Sequence, residues 1–391
     1  MTKQSLYILC DLLEERWPSM DLAAEQLLAH LDAVARSDVQ RLRPVFRHRA
    51  TKLAKASGAA RNLDRLVNRL HDYPRMLRKS YGSSRDLFHL VDHSYSQLLH
   101  ALPPGRVGVF CHDLDTFRSV LEPATERRPV WFRAMTRHIL RGFQKAAVVF
   151  YSTNAVRGEI ERFGLVDPVR LVQARMGVCE EFTAVKPAAE PGVSLLGEWA
   201  MREAFVLHVG SCIPRKRIDV LLDVFAAARG RRRELRLVQA GGEWTAAQRE
   251  QISRLGIESS VTQVRGLTRE QLASLYRSAA VVLQPSEAEG FGLPVAEALA
   301  CGTAVLASDI PVLREVGGDM AAYAPVGDVA AWSEALLSML DEPAALERPN
   351  ERTAWASRYS WATHARIIGE TYLRLSRGEP VAAPLTTAVA S

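Results

Sequence analysis

Two glutamates stand eight positions apart in the stretch SEAEGFGLPVAEALACG, which covers Ser286 to Gly302. A glycine-containing loop after Glu289 leads to Pro294, which suits the first turn of a helix because no N–H is needed there. A loop that enters a helix N-terminus presents backbone N–H groups and the positive end of the helix dipole, and therefore favours an anion. Glu289 and Glu297 would not bind that anion, but carboxylates accept hydrogen bonds from hydroxyls. The stretch therefore predicts a ligand whose anionic centre lies between hydroxyl-bearing rings, such as a sugar and a ribose.

The same residues also fit an ordinary helix start without a ligand. In that interpretation Glu297 complements the helix dipole and Glu289 is a solvated loop residue. The loop is not a dinucleotide-binding fingerprint, because Val295 occupies the position of the third glycine, and the chain contains neither GxxxxGKS nor GxxxxGKT. An anion at this loop would therefore be held by another arrangement.

Cations that could hold such an anion stand in HVGSCIPRKRIDVLL, between a predicted strand and a predicted helix. They are Arg215, Lys216 and Arg217. Cations oppose the dipole at a helix N-terminus. A phosphate between them and the loop would satisfy both, since lysine acts as a point charge and arginine as a fork. A solvated basic cluster is the alternative interpretation.

A histidine and an aspartate follow a third predicted strand, in the stretch FCHDLDTF. His112 and Asp113 at this strand end are candidates for an acid–base pair. The chain also has His89 and His93 near a strand end, so a histidine without a catalytic role is the alternative.

Short β-rich runs alternate with longer helical patterns, which indicates βαβ units and parallel sheets. In the second half the predicted strands are 205–210, 235–241, 261–266, 280–284 and 304–308, and the predicted helices are 217–229, 269–278 and about 294–301, with others starting at 245 and 328. In the first half the predicted strands are 5–10, 86–92, 106–113, 146–152 and 169–174, and the predicted helices are 21–35 and 131–143. Ligands of such sheets bind at the carboxyl ends of the strands, so two facing sheets predict a site in the cleft between them.

Composition narrows the class of protein. The chain has 391 residues, of which 48% are hydrophobic and 24% charged, and this predicts a soluble protein of two domains. No apolar run approaches the roughly 20 residues of a membrane helix, and the N-terminus has no signal-peptide cleavage pattern. The five cysteines are scattered without a CxxC pair, which argues against disulfides and a zinc site and fits a reducing cytosol.

A basic segment runs from Arg41 to Lys79, with twelve Lys or Arg residues against two acidic ones. Its spacing predicts an amphipathic surface helix with one apolar face and one arginine-bearing face. The apolar face consists of Leu63, Leu66, Val67 and Leu70, and the arginine-bearing face consists of Arg61, Arg65 and Arg69. A solvated surface and a face that binds anionic lipid or a phosphorylated substrate both fit this pattern. Nucleic acid is disfavoured because no recognition motif accompanies the segment.

The stretch Ser286 to Ser308 resembles the signature of the retaining glycosyltransferases of family 4, and Glu289 and Glu297 match the E-x7-E pair of that family. VGSCIPRKRIDVLLDVF resembles the family's donor-phosphate stretch, and VRGLTREQLASLYRSAAVVLQPS resembles the segment before the glutamates. YSW at Tyr359 to Trp361 resembles the start of the family's C-terminal helix. The resemblance is strong over about Ala204 to Ala330 and weaker over the first half of the chain.

The resemblance implies an α/β fold of the GT-B type, with two doubly wound, Rossmann-like parallel-sheet domains facing across a cleft. Residues 1–188 would form an N-terminal acceptor-binding domain, and 198–362 a C-terminal nucleotide-sugar-binding domain. Residues 363–377 would form a helix that crosses back to the N-terminal domain, and 378–391 a disordered tail. The Pro-, Gly- and Ala-rich residues 186–197 would be the linker.

The resemblance also implies a role for each candidate residue. The catalytic residues, which orient and polarise the transferred sugar, would be His112 and Glu289. The leaving diphosphate would be held by Arg215, Lys216, Gly290, Phe291, Gly292 and Leu293. The nucleotide would be bound by Glu297 at its ribose and by Gly266, Leu267, Gly210 and Ser211. No metal or other cofactor is implied, since two cations and a helix end can stabilise the leaving group instead.

Two positions depart from the family pattern. Ser211 stands where family members often have an arginine after the strand glycine, and Arg215, Lys216 and Arg217 are candidates to compensate for it. The stretch ERWPSMD, Glu15 to Asp21, stands where members often carry a glycine pair after the first strand. Either Trp17 and Pro18 close the acceptor side, or the first strand is arranged differently from that of the family.

Residues and resemblance together predict a metal-independent retaining hexosyltransferase that moves a sugar from a UDP- or GDP-linked donor to a glycan or lipid-linked glycan. Its pathway would be cell-surface polysaccharide or glycolipid assembly. We expect a cytoplasmic protein in peripheral contact with the anionic inner membrane face. The basic residues for a membrane or acceptor contact are Arg61, Arg65, Arg69, Arg78 and Lys79. Three alternatives stay open: a GT-B sugar-nucleotide epimerase, a non-catalytic sugar-nucleotide-binding module, and a glycogen phosphorylase-like enzyme, which the length of the chain and the lack of a cofactor-lysine signature disfavour.

Overall fold

The structure is a computed structural model that describes residues 4–15, 17–31, 38–53, 58–186, 191–201, 203–342 and 347–381. The chain divides into two compact units: unit 1 is Met1–Met176 with Trp361–Ser391, and unit 2 is Gly177–Ser360. The division at Gly177 comes earlier in the chain than the predicted linker. Residues 187–190 of that linker and 382–391 of the predicted tail lie outside the described residues.

Unit 1 contains, among its described residues, a six-stranded parallel sheet in the order β2-β1-β3-β4-β5-β6. The strands are β1 Ser5–Leu9, β2 Asp38–Leu42, β3 Leu87–Leu90, β4 Val107–Cys111, β5 Val148–Tyr151 and β6 Leu171–Gln173. The α-helices before unit 2 are α1 Pro18–Leu31, α2 Ala50–Leu53, α3 Gly58–Val67, α4 Tyr73–Tyr81, α5 Arg118–Leu121, α6 Val130–Phe143 and α7 Asn154–Arg162.

Five of the six strands of this sheet occur where the sequence predicts them, each up to three residues shorter. β3, β4 and β5 are continuous apolar runs and are buried throughout, as expected for the middle of a parallel sheet that helices cover on both faces. β2 is not predicted, because DVQRL is an edge strand with only Leu42 buried and lacks an apolar run. Helix α1 starts at Pro18, earlier than predicted, and its predicted last residues 32–35 lie outside the described residues.

The basic segment does not form the predicted helix with a leucine and valine face. The chain from Gly58 to Tyr81 is helical, with one π-helical turn at Asn68–Asp72 between α3 and α4. Leu63 is 53% exposed, whereas the neighbouring Asp64 is buried. The inward face of α3 is therefore polar. It binds the backbone of its own preceding loop, an interaction that hydrophobic periodicity does not reveal.

Unit 2 contains, within the same described ranges, a second six-stranded parallel sheet in the order β12-β11-β10-β7-β8-β9. The strands are β7 Phe205–Gly210, β8 Arg236–Gly241, β9 Val261–Val264, β10 Val281–Gln284, β11 Ala304–Ser308 and β12 Ala322–Ala324. The α-helices are α8 Ile218–Arg231, α9 Ala246–Leu255, α10 Arg269–Ser278, α11 Leu293–Ala300, α12 Pro311–Gly317, α13 Val329–Asp341 and α14 Pro349–Ala356.

The sequence predicts unit 2 more completely than unit 1. Its strands β7 to β11 and the helices between them occur at the predicted places. The short elements α12 and β12 are not predicted, because seven and three residues are too few to show a period. None of the helices in the described ranges combines the length and the hydropathy that a bilayer-spanning segment requires.

The last helix, α15 Trp361–Ser376, belongs to unit 1 and packs against α1. Its Tyr372 hydroxyl donates to the Phe88 carbonyl at 2.8 Å and lies 3.1 Å from Nδ1 of His89 on β3. Nδ1 of His364, on the same helix, lies 3.0 Å from the Arg175 carbonyl. Both imidazoles are buried, and burial lowers the pKa of His89 to about 3 and that of His364 to about 4.

These two buried histidines predict that the stability of unit 1 falls in acid. Each has a folded pKa below its unfolded value of about 6.5, so the unfolded state binds more protons as the pH falls below 6.5. Above that pH the histidines have no effect on stability, and below it each lowers the free energy of unfolding by about 1.4 kcal/mol per pH unit until its folded pKa is reached. Asn can keep a hydrogen bond at the Nδ1 position but does not titrate. His89→Asn with His364→Asn should therefore flatten the dependence of the free energy of unfolding on pH between pH 6 and pH 4.5.

Urea unfolding at several pH values measures the free energy of unfolding. Hydrogen exchange of the β3 amides reports the stability of unit 1 separately. His71→Asn is the matched control, since the His71 side chain is 66% exposed. Equal slopes for the double variant and the control would show that the buried histidines do not set the acid sensitivity.

Candidate functional site

The predicted site residues of unit 2 lie where the strand order of its sheet reverses. Strands β7 and β10 are neighbours at the centre of the sheet. The strands that follow β7, β8 and β9, lie on one side of this pair, and those that follow β10, β11 and β12, lie on the other side. Such a switch point leaves a crevice at the carboxyl ends of the two central strands, and ligands of open α/β sheets bind there. The loop after β7 carries Lys216, and the loop after β10 carries Glu289.

Lys216 and Glu289 form an ion pair at this switch point. Nζ of Lys216 lies 2.6 Å from Oε1 of Glu289, and the two side chains are only 10% and 6% exposed. The amide of Gln284, the last residue of β10, also donates to Oε1 at 2.6 Å. Burial alone would raise the pKa of Glu289, but the charge of Lys216 and its hydrogen bond bring that pKa below the ordinary value. Glu289 is therefore a carboxylate held in place by a cation and an amide.

Arg215 ties the two loops together. Its Nη1 donates to the carbonyl of Ala288 at 2.9 Å and lies 3.7 Å from Oε2 of Glu289. In return, the N–H of Glu287 donates to the Arg215 carbonyl at 2.9 Å. About a third of the Arg215 side chain stays exposed. The structure thus brings Arg215, Lys216 and Glu289 together at this edge of the sheet.

The glycine loop and helix α11 follow directly after Glu289. Helix α11 begins at Leu293 after Gly292, whose φ of +95° lies in the left-handed region that favours glycine. Phe291 is buried with its ring edge-on to Tyr359, and this packing anchors the loop. The helix thus starts four residues after Glu289, with Pro294 in its first turn, as the sequence predicts.

Glu297 lies on the buried side of α11 and has a different environment. Its Oε2 accepts a hydrogen bond from the Tyr276 hydroxyl at 2.8 Å. Burial raises the pKa of Glu297 to about 7, and the Tyr276 hydrogen bond offsets only part of that shift. The two glutamates therefore have pKa values displaced in opposite directions, one by cations and the other by burial.

The remaining predicted nucleotide-binding residues lie at carboxyl ends of the same sheet. Gly210 ends β7, Ser211 follows it with an exposed side chain, and Gly266 and Leu267 follow β9. The amide of Gln239 donates to the Gly210 carbonyl at 2.8 Å. These residues line one edge of the sheet, and Gly210 lies against the Lys216 side chain, whose Cε would be 3.7 Å from a Cβ at position 210.

In unit 1, His112 and Asp113 do not pair with each other. Nε2 of His112 lies 2.8 Å from the Val91 carbonyl, and Asp113 instead lies 3.7 Å from Nε2 of His93. Burial lowers the pKa of His112, although the nearby charge of Asp92 opposes that shift. His112 is thus a neutral imidazole at the carboxyl end of β4, oriented by the main chain, and the predicted acid–base pair with Asp113 is not formed.

Several polar residues at these edges are not predicted by the sequence analysis. Gln284 and Tyr276 donate hydrogen bonds to the two glutamates, and these pairings are visible only in three dimensions.

Two aspartates of unit 1 are also close to a sheet edge. Asp11 comes two residues after Leu9 and Asp92 two residues after Leu90, and these two leucines are paired in register between β1 and β3. Burial, followed by the charge of Asp92, raises the pKa of Asp11 well above its usual value. A signal was available for Asp92, because it follows a strand just as His112 does.

The predicted basic surface of unit 1 is divided between two environments. Arg65 forms an ion pair with the buried Glu15, and Nη1 of Arg69 lies 3.9 Å from the same carboxylate. Arg61, Arg78 and Lys79 are exposed. Arg65 and Arg69 are therefore committed to contacts within unit 1 rather than forming one continuous free face with the other three.

Residues 197–355, most of unit 2, match the family model described as "Glycosyl transferases group 1". The serotype-specific mannosyltransferase WbdA of Escherichia coli is 29% identical over 252 residues, which are 62% of this chain and 31% of that protein. The D-inositol 3-phosphate glycosyltransferase of Mycolicibacterium smegmatis is 35% identical over 181 residues, 44% of this chain and 40% of that protein. The chain thus spans well under two thirds of the length of these curated relatives.

Solved structures resemble the chain over nearly its whole length. Sucrose-phosphate synthase from Thermosynechococcus elongatus superposes with a TM-score of 0.73 at 18% identity, covering 96% of this chain and 100% of that one. Anabaena HepE, solved in complex with UDP and glucose, gives a TM-score of 0.64 at 15% identity, covering 96% and 98%. Two parallel six-stranded sheets with surrounding helices and these neighbours confirm the predicted GT-B fold.

The raised pKa of Glu297 is directly measurable. The Glu297 carboxyl should titrate near pH 7, and Tyr276→Phe should move that midpoint higher, because the lost hydrogen bond lowers the pKa. Carbon-13 NMR of labelled glutamate carboxyls follows the titration, and loss of the resonance in Glu297→Gln assigns it. Tyr323→Phe is the control, since its hydroxyl contacts the Leu313 and Gly318 carbonyls instead. A midpoint near 4.5 in the unaltered protein would contradict the assignment.

Proposed function

We propose that this chain is a retaining glycosyltransferase that moves a sugar from a nucleotide-diphosphate donor to an acceptor hydroxyl. The observation that carries the proposal is the meeting of Lys216, Glu289 and the start of α11 at the switch point of unit 2. A diphosphate needs cations and backbone donors, and the sugars on either side of it need hydroxyl acceptors. The family match over residues 197–355 supports the same class of donor site.

In the proposed complex, Lys216 changes its partner. Without a ligand its ammonium group neutralises Glu289. A diphosphate beside the N-terminus of α11 attracts the same ammonium, together with Arg215 and the N–H groups of Gly290, Phe291, Gly292 and Leu293. Glu289 then turns its freed oxygen to hydroxyls of the transferred sugar, while Gln284 keeps it in position. Donor binding and the readiness of Glu289 are thereby coupled.

The nucleotide half of the donor is assigned to the rest of the same sheet edge. Glu297 accepts hydrogen bonds from the ribose hydroxyls. The base and the neighbouring phosphate contact Gly266, Leu267, Gly210 and Ser211. A UDP- or GDP-linked sugar satisfies these groups equally well, and the complex of HepE with UDP and glucose favours testing UDP first.

The proposed reaction breaks the bond between the anomeric carbon and the diphosphate oxygen, and the bonding electron pair leaves with the diphosphate. The acceptor hydroxyl attacks from the same face, so the configuration is kept, and its proton goes to the leaving phosphate oxygen. Arg215, Lys216 and the helix dipole stabilise the charge that develops there. Glu289 and neutral His112 orient and polarise the sugar, and neither forms a covalent bond to it. No metal ion has a role in this scheme.

The acceptor is proposed to be a glycan or a lipid-linked glycan that binds unit 1. Relatives named as a mannosyltransferase and an inositol-phosphate glycosyltransferase support a hydroxyl-rich acceptor and a role in cell-surface polysaccharide or glycolipid assembly. A cytoplasmic enzyme at the inner membrane face would meet such acceptors. Arg78 and Lys79 on α4, both exposed, are the proposed contact with anionic lipid, since Arg65 and Arg69 are bound to Glu15.

The donor assignment predicts a different result for each of three variants, with nucleotide affinity measured by calorimetry and sugar transfer by an activity assay. Lys216→Ala should weaken UDP or GDP binding ten- to a hundredfold, because a charge-assisted hydrogen bond is worth about 1.5–3 kcal/mol. Glu297→Ala should weaken it about tenfold through the ribose. Glu289→Ala should abolish transfer while nucleotide affinity stays equal or rises, because Lys216 loses its competing partner.

Glu287→Ala is the matched control for these variants, since it lies in the same loop with a side chain 48% exposed. Equal losses of affinity in all three variants would contradict the assigned roles. A thermal-shift panel of nucleotide sugars first identifies the donor, because a ligand of the folded state raises stability. Conversion of that donor into a different nucleotide sugar without any acceptor would instead establish an epimerase.

The membrane proposal predicts a charge-specific effect of two side chains. Arg78→Gln with Lys79→Gln should reduce binding to vesicles that contain anionic phosphatidylglycerol and leave binding to neutral phosphatidylcholine vesicles unchanged. Arg231→Gln with Arg233→Gln on unit 2 removes the same charge from exposed positions and serves as the control. Co-sedimentation at physiological salt measures both. Equal binding to anionic and neutral vesicles, or equal losses in the two double variants, would refute the contact.

A further inference from the structure

A pocket of about 650 Å³ lies in unit 1 beside the first two strands of its sheet. One side comes from the segment after β1, with Glu15, and another from the segment after β2, with Phe46 and His48. Helix α3 supplies Asn62 and Arg65. The pocket is therefore at the carboxyl edge of the sheet, where open α/β sheets bind ligands, and its volume suits a small molecule.

The wall that carries Phe46 and His48 is held in a fixed shape by the buried polar face of α3. The Asp64 carboxylate accepts the N–H groups of Arg49, Ala50 and Thr51 at 2.8–3.0 Å and the Thr51 hydroxyl at 2.7 Å. The Asn68 amide pairs with both the N–H and the carbonyl of Arg47 at 2.8 and 2.9 Å. These contacts restrain residues 47–51. A wall held in this way is pre-organised, which lowers the entropy cost of binding.

A fixed carboxylate forms the opposite side of the pocket. The Glu15 side chain is 3% exposed and forms an ion pair with Arg65. Its Oε1 also accepts the Tyr95 hydroxyl at 3.2 Å and lies 3.9 Å from Nη1 of Arg69, which stacks 4.2 Å above the Tyr95 ring. Glu15 and Arg65 are therefore planar polar groups held in one geometry at the pocket.

The chemistry of the lining identifies the class of ligand. Planar carboxylate, guanidinium and amide groups bind neighbouring hydroxyls in pairs, and an aromatic side chain packs against the C–H groups of a sugar ring. The pocket has all of these, with the Phe46 ring 4.9 Å from the imidazole of His48. The acidic residues that line the pocket, Glu14 and Glu15, balance the charges of Arg61 and Arg65, so a neutral hydroxyl-rich ring fits better than a phosphate alone.

We propose that this pocket binds the terminal sugar ring of the acceptor, and that Phe46 and Asn62 determine which ring is accepted. The inference rests on the proposed glycosyltransferase function and deepens it, since it assigns the acceptor a site of its own in unit 1. Asn62 is exposed at the pocket, where its amide can both donate and accept hydrogen bonds with ring hydroxyls. Phe46 packs against the core with one part of its side chain and lines the pocket with another.

The first experiment tests the pocket without the donor. Saturation-transfer NMR with methyl α-mannopyranoside, methyl α-glucopyranoside and methyl α-galactopyranoside should show contact for at least one sugar in the unaltered protein. Asn62→Ala should reduce that signal at least fivefold and Phe46→Ala should abolish it, while Arg127→Ala, an exposed change outside the pocket, should leave it intact. Signals from none of the sugars, or signals of equal strength in Asn62→Ala and the unaltered protein, would overturn the proposal.

The second experiment uses the donor identified by thermal shift and separates the pocket from the proposed function. Asn62→Ala should raise the acceptor KM at least tenfold, with kcat and the donor Kd changed less than twofold. Because Asn62 is exposed, its removal leaves folding intact, and the melting temperature checks this. An unchanged acceptor KM overturns the pocket assignment although transfer itself occurs. Sugar binding in the pocket without any nucleotide-sugar binding would instead refute the proposed function and leave the pocket in place.

Discussion

The contact between Lys216 and Glu289 is the interaction on which the arrangement of unit 2 depends. A carboxylate that is 6% exposed is costly unless a cation and hydrogen bonds satisfy it. That requirement places the β7 loop and the β10 loop side by side, and the backbone exchange between Arg215 and Glu287 keeps them there. The strand order of the sheet makes the approach possible, because β7 and β10 are neighbours although distant in sequence. The Glu289 carboxylate is thus the counter-ion of Lys216 at the switch point of the sheet.

Local signals in the sequence are sufficient for much of this architecture. Alternating buried strands and amphipathic helices predict both sheets, and strand ends identify Lys216, His112 and Glu289 as edge residues. Contacts that join separate elements could not be predicted in this way. The Tyr276–Glu297 bond links α10 to α11 across the interior, and neither residue has a local pattern that indicates the other. The edge strand β2 was missed for a related reason, since it owes its place to pairing with β1 rather than to its own hydropathy.

Polar burial explains the largest error of the sequence-based fold prediction. Leu63 of α3 faces outward because Asp64, and Asn68 just after the helix, occupy inward positions and bind the loop at 47–51. Hydrophobic periodicity assigns the buried positions to apolar residues, and it therefore predicts the wrong buried face for such a helix. The two units thus use buried acids differently: Asp64 accepts hydrogen bonds from main-chain N–H groups, whereas Glu289 is neutralised by a side-chain cation.

The return of the chain to unit 1 has a consequence for how the protein folds as it is made. Unit 2 is inserted between the body of unit 1 and helix α15, and the contact of His89 with Tyr372 joins residues 283 positions apart. On a ribosome, unit 2 can be complete while unit 1 still lacks the helix that covers His89. Closing so long a loop is slow, but its entropy cost grows only logarithmically with length. Until α15 has been synthesised, unit 1 therefore exposes an apolar and histidine-bearing surface, and chaperone capture is most useful at that stage.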